Sequence, residues 1–298
     1  MTHPSRIVGA DVLRQVKMIE LRTRRLVNTL FSGEYRSVFR GHGMEFAEVR
    51  AYQQGDDYRA IDWNVSARMG SPYVKTFMEE RELTLLLVVD RSGSEEFGAP
   101  VAKAELGVEV AAILALAAAR QNDRVGALIF SGGIDHVVPP RKGRLHALRI
   151  LRDLLAFEPQ DRRTNIASAL AYATRLLRHR SIVVVLSDFR APAWEEPLRR
   201  LTRRHEVVAI TVDDPREFEL PNAGWIELED AESGERELVE TSHEPTRLAL
   251  AMTAAKVRLS RARALKQAQV DHIALRTDRP YAEALHRAFA ERARRLNR

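Results

Sequence analysis

Cysteine is absent from all 298 residues. Disulfides, thiolate nucleophiles and Cys-ligated zinc are therefore excluded. No apolar run is long enough to span a bilayer, and the N-terminal segment has no secretory apolar core. With cysteine missing as well, the expectation is a cytoplasmic chain without membrane contact. No two histidines stand at zinc-ligand spacing, and HExxH does not occur. The Walker spacing with its Lys-Ser/Thr is also missing, so Gly41, Gly43 and Gly55 read as turn glycines rather than a phosphate cradle. There is no internal repeat and no low-complexity segment.

What is present is a globular composition, 45% hydrophobic and 30% charged. The net charge of +6 is unevenly spread. Residues 213–240 carry eleven acids against two bases, and residues 241–298 carry thirteen bases against five acids. Solvated faces explain this best. Basic residues scattered along amphipathic helices do not build a groove-reading element, so nucleic acid is not the expected partner.

The chemistry concentrates at three chain-distant points. Leu85-Leu86-Leu87-Val88-Val89 reads as a strand buried on both faces, and it ends in Asp90-x-Ser92-x-Ser94. Ile182 to Leu186 is a second apolar strand, followed by Ser187 and Asp188. Between them, Thr164 stands just before a helical pattern that starts at Ile166, where it also suits an N-cap. Asp90, Ser92, Ser94, Thr164 and Asp188 form a set of hard oxygen donors with few charges. Such a set suits Mg²⁺, or Mn²⁺ or Ca²⁺, with part of the coordination shell left to water or an incoming ligand. Ser187 is read as a strand residue only.

Strands alternate with helices from residue 83 onward. The expectation is an α/β, Rossmann-like fold with a mostly parallel sheet flanked by helices. Residues 1–82 are expected to form an N-terminal helix and a small β-rich element, and residues 83–298 the main domain, with an acidic hairpin near 213–240. Arg22, Arg24 and Arg25 interrupt the apolar face of the first helix, which points to a surface position.

Asp90-x-Ser92-x-Ser94 with Thr164 and Asp188 resembles the metal-ion-dependent adhesion site of von Willebrand factor A-type domains. Gly41-His42-Gly43-Met44-Glu45-Phe46, Arg50-Ala51-Tyr52, Gly55 through Trp63, Ala67-Arg68, Val74-Lys75 and Glu79-Glu80-Arg81 resemble the bacterial domain-of-unknown-function 58 family. That likeness runs over roughly the whole chain. It implies an A-type domain with a β-rich element ahead of it, acting as a non-enzymatic, metal-dependent protein-interaction module. It also implies work alongside a MoxR-type AAA+ ATPase in assembly or maturation of other proteins, with a partner Glu or Asp completing the metal shell. Adhesion motifs of this kind often continue with Met; here Glu95-Glu96 follow.

The alternative is a Mg²⁺-dependent hydrolase or phosphotransferase using Asp90. It lacks the second acid two residues on, where Ser92 stands, and no lysine is placed near the site by motif. In the Gly41–Arg68 block, Asp56, Asp57, Arg59, Asp62 and Arg68 read as an ion-pair network that fixes a tight loop region against the A-type domain, and Trp63 as a packing anchor.

Overall fold

The computed structural model describes residues 10–31, 44–79, 83–98 and 101–296. The chain forms two compact units, one made of the first 38 residues with Thr84–Arg298 and the other of Phe39–Leu83. Gly41, His42, Gly43, Glu80 and Arg81 lie outside the described residues.

In the smaller unit, β1 (Met44–Ala51) pairs antiparallel with β2 (Tyr73–Glu79), with a register irregularity between Phe46 and Glu48. The connection between the strands contains a short helix, α2 (Trp63–Met69). Its acids act mainly as caps. Asp57 Oδ1 accepts from Arg59 N, and Asp62 Oδ1 accepts from Asn64 N and Val65 N. Asp56 is ion-paired, but to Arg50, which lies outside the expected set, in a two-pronged contact at 2.7 and 2.8 Å. Gly70, at φ 72°, closes α2 in the left-handed region. Trp63 is 70% exposed, so it is not the packing anchor its size led one to expect.

The larger unit is built on six strands: β3 (Thr84–Asp90), β4 (Arg124–Phe130), β5 (Ile134–Arg141), β6 (Ile182–Leu186), β7 (Glu206–Asp213) and β10 (Asp271–Arg276). Their order is β10-β7-β6-β3-β4-β5. Only the edge strand β5 runs antiparallel to its neighbour. Residues 85–89 of β3 are at most 2% exposed, as a continuous branched apolar run requires when both faces are covered. Leu86 and Val88 join a core with α5 (Ile166–Leu176) and α6 (Glu195–Thr202). By the two-residue period, Leu85, Leu87 and Val89 face the opposite side, where α3 (Lys103–Arg120) packs on β3 and β4. The alanines of α3 allow that close approach, and thirteen of its residues are buried.

Helix α1 (Ala10–Phe31) buries Val16, Ile19 and Val27 and packs against α3 and α4 (Arg144–Leu155). Arg22 donates to Glu109 at 2.9 Å. The arginine does not push this helix onto a free surface; it reaches around the apolar seam to an acid on the neighbour. α1 thus belongs to the larger unit, whereas a boundary at 82/83 groups it with the β-rich element.

Between β7 and β10 stand a hairpin, β8 (Trp225–Glu229) with β9 (Arg236–Glu240), and the long helix α7 (Glu244–Gln267). α8 (Tyr281–Leu296) closes the chain. The chain steps from β3 to β4 on one side and from β6 to β7 on the other, so the order reverses between β3 and β6. Val89 pairs with Leu186, which brings the two strands to one rim together. In a doubly wound sheet that reversal opens a crevice at the carboxyl ends of the strands.

Candidate metal centre

Asp90 is the last residue of β3 and sits at that reversal. Its Oδ1 accepts from Ser92 N at 2.9 Å, and its Oδ2 accepts from Ser187 Oγ at 2.6 Å. Ser187 is therefore more than a strand residue: it reaches across from the end of β6 to hold the carboxylate. Ser92 and Ser94 hydroxyls are 3.3 Å apart. One turn of 3-10 helix, Gly93–Glu96, then brings Glu95 inward, where it is 4% exposed.

Asp188 follows β6 and is 1% exposed. Its N–H donates to Glu95 Oε1 at 3.2 Å, and its Oδ1 accepts from Arg190 N at 3.1 Å. The next residue, Phe189, has φ 54°. That left-handed conformation is costly for a bulky side chain and here accompanies the turn that presents Asp188. The Phe189 ring is locked edge-on against Trp194, 5.1 Å between centroids. One carboxylate oxygen each of Asp90, Glu95 and Asp188 lies within 4.8 Å of the others.

A lysine also stands in this cluster, although no motif announces it. Lys103 begins α3, is fully buried, and donates to Asp188 Oδ2 at 3.1 Å and Glu217 Oε1 at 2.9 Å. Arg190 holds the other oxygen of Glu217 at 3.0 Å. Four carboxylates, Asp90, Glu95, Asp188 and Glu217, thus gather around Lys103 and Arg190, and the Arg91 guanidinium acts on Asp90 and Glu95 as well. Burial, then the Asp188 charge, pushes Asp90 up to about 7. Burial raises Glu95 well above the usual carboxylate range. Burial acts in the same direction on Asp188, but Lys103 and Arg190 outweigh it and hold that group below its ordinary value. Burial would lower Lys103, yet Glu95, Asp188 and Glu217 hold it above. Three hard carboxylate oxygens converging in a desolvated site match a divalent cation of the Mg²⁺, Mn²⁺ or Ca²⁺ class.

Of the residues expected to converge, Asp90, Ser92, Ser94 and Asp188 lie in or beside this cluster. Thr164 does not turn its hydroxyl to the carboxylates. It donates instead to Glu232 Oε1 at 2.5 Å, while Thr164 N donates to Glu232 Oε2 at 3.3 Å. Nor is Thr164 the helix cap; Asn165 Oδ1 takes that role, accepting from Ser168 N. The Thr164 loop still adjoins the Asp90 loop, because Gly93 N donates to Arg162 O at 2.7 Å.

The family model described as "Protein of unknown function DUF58" matches residues 48–260. The chain belongs to the DUF58 family. A DUF58 relative, uncharacterized protein Rv1480 of Mycobacterium tuberculosis, is 36% identical over 99% of this chain and 95% of its own length. Among solved structures, an aerotolerance-related membrane protein from Bacteroides fragilis is similar at 16% identity and a TM-score of 0.47, covering 72% of this chain and 99% of that one. The SpRpn10 VWA domain is similar at 12% identity and a TM-score of 0.36, covering 44% and 76%. The fold of this DUF58 chain is von Willebrand factor A-like, as its strand order has it.

The cytoplasmic location expected from composition is corrected by these likenesses, since the similar structures include that membrane protein. No helix among the described residues is long and apolar enough to cross a membrane.

Proposed function

We propose that this DUF58 chain is a protein-interaction module that uses a divalent cation held by Asp90, Glu95 and Asp188, with Ser92 and Ser94 beside them. The observation that carries the reading is the convergence of Asp90, Glu95 and Asp188 in one buried cluster, with their carboxylate oxygens within 4.8 Å of one another. Isolated buried charge is costly, so a desolvated group of carboxylates calls for a compensating cation. Mg²⁺ is the first candidate, ahead of Mn²⁺ and Ca²⁺, because the donors are few and the remaining positions are left to water or a ligand. A Glu or Asp of a protein partner suits such a position, since hard cations prefer carboxylate oxygen. The partner class implied by the family likeness is a MoxR-type AAA+ ATPase.

Two features speak for binding rather than turnover. Both oxygens of Asp90 are engaged by Ser92 and Ser187, and the residue is 3% exposed, a poor setting for a nucleophile. The position two residues on is Ser92, where an aspartyl-phosphate mechanism needs an acid. Lys103 lies close by, but its ammonium is shared between Asp188 and Glu217.

Isothermal titration of the full chain with Mg²⁺, Mn²⁺ and Ca²⁺ tests the cation. Saturable binding of one ion, lost in Asp90→Ala with an unchanged circular dichroism spectrum, is the expected result. Capture of an AAA+ ATPase from lysate that persists undiminished in excess EDTA would defeat metal-dependent binding. Mg²⁺-dependent hydrolysis of a phosphate ester, lost in Asp90→Asn, would replace the reading with an enzymatic one.

A further inference from the structure

The acidic hairpin β8–β9 ends on the rim of the cation cluster, and its contact there is specific. The turn is shaped by Asp230, whose Oδ1 accepts from Glu232 N at 2.9 Å and Ser233 N at 2.7 Å. Gly234, at φ 74°, completes the reversal. This geometry holds the Glu232 carboxylate against Thr164, where it takes both the hydroxyl and the backbone N–H.

The preceding residue fits just as closely. A Cβ on Gly93 would lie 2.1 Å from Ala231 O and 3.2 Å from Arg162 Cβ. Glycine at 93 is what lets the turn approach. Arg162 then ties the loops together, 3.4 Å from Glu96 and 3.9 Å from Glu229. The rim of Gly93, Arg162 and Thr164 thus receives an acid-bearing tight turn, and the chain fills it with its own.

The geometry points to this rim as the recognition surface for a glutamate presented on a tight turn, with the Asp230–Glu235 turn as its resident occupant, which a partner's turn displaces. The inference rests on the proposed cation-assisted binding role and adds the shape of the partner's binding element and the competitor that element meets. A tethered occupant acts at an effective concentration in the millimolar range for short linkers, so a partner must be tight or multivalent to win. The hairpin is exposed along most of β8 and β9, and none of residues 225–240 belongs to the buried core.

The test uses the full chain, Mg²⁺ alone as one probe, and a cyclised peptide of residues 225–240 as the other. In Mg²⁺, the peptide is expected to bind Glu232→Gln at least tenfold more tightly than the wild type. A peptide with Gln in place of Glu232 is expected not to bind either protein. Because Ala231 and Arg162 still hold the hairpin in Glu232→Gln, a second variant replaces residues 226–239 with a short Gly-Ser linker. It should take the peptide at least as well, with its melting curve reporting the fold. Equal peptide affinity for wild type and both variants, with Mg²⁺ heat intact, overturns the recognition surface alone. Absence of Mg²⁺ heat in all three proteins overturns the cation reading, and the inference falls with it.

Discussion

The ammonium of Lys103 lies 3.1 Å from Asp188 Oδ2, fully buried at the start of a helix that is otherwise almost wholly apolar. Its second partner, Glu217, is 114 residues away in sequence. Removing one member of a buried ion pair strands the rest and typically costs about 3–5 kcal/mol. Lys103→Met, which keeps length and volume, should lower unfolding free energy by about that amount in urea titrations. A loss under about 1 kcal/mol would mean the carboxylates are compensated by something else.

Asp90→Asn separates stability from cation binding. The amide keeps the acceptor for Ser92 N and removes a charge that burial and Asp188 both oppose. Without metal, the variant should melt at or above the wild-type temperature. Wild type should gain about 2.7 kcal/mol when Mg²⁺ reaches a hundredfold excess over its dissociation constant, and the variant should gain nothing. Scanning calorimetry with and without Mg²⁺ reads both effects.

Ser187→Ala deletes the hydroxyl that donates to Asp90 Oδ2 at 2.6 Å. Hydrogen bonds to charged groups contribute about 1.5–3 kcal/mol, and the loss should appear in urea unfolding. Phe189 N also donates to Ser187 Oγ, so hydrogen exchange at Phe189 should quicken in the same variant.

His272 gives a pH dependence outside the site. It stands on β10 with Nε2 3.0 Å from Thr211 Oγ1. Burial, then the Arg261 guanidinium, lowers its pKa to about 4, against a smaller opposing effect from Asp213. A depressed histidine binds its proton more readily when unfolded. Its contribution is therefore complete above about pH 6.5 and is lost as pH falls from 6.5 to 4, by up to about 3 kcal/mol. His272→Gln should flatten the stability slope in that window by up to one proton, measured by urea titration at pH 4.5 to 7.5. An unchanged slope would show that the imidazole is not the group responsible.

Much of this was readable along the chain because it rests on local pattern. The runs 85–89 and 182–186 are short, apolar at every position and rich in branched residues, as a strand covered on both faces requires, and each leads into a carboxylate. The hairpin across Ser233-Gly234 announces itself by its turn residues. Glu95 was visible as an extra acid, but whether it faced solvent or Asp188 depended on one turn of 3-10 helix. Lys103 had a faint signal, a cation in the first turn of an Ala-rich, mostly apolar helix. Trp63 misled, since its size argued for burial and the small unit leaves it exposed.

Strand identity, the alternation of elements and the Asp90 and Asp188 strand ends follow from side-chain hydrophobicity and period, which act over a few residues. What Thr164 bonds, what neutralises Asp188 and what crowds Gly93 depend on Glu232, Lys103 and Ala231, which are 68, 85 and 138 residues away respectively. Distances that long are set by how the crossovers pack, and electrostatic and steric contact acts through space rather than along the backbone. The chain therefore spells out its carboxylates, while the packed sheet alone decides which charges and which turn they meet.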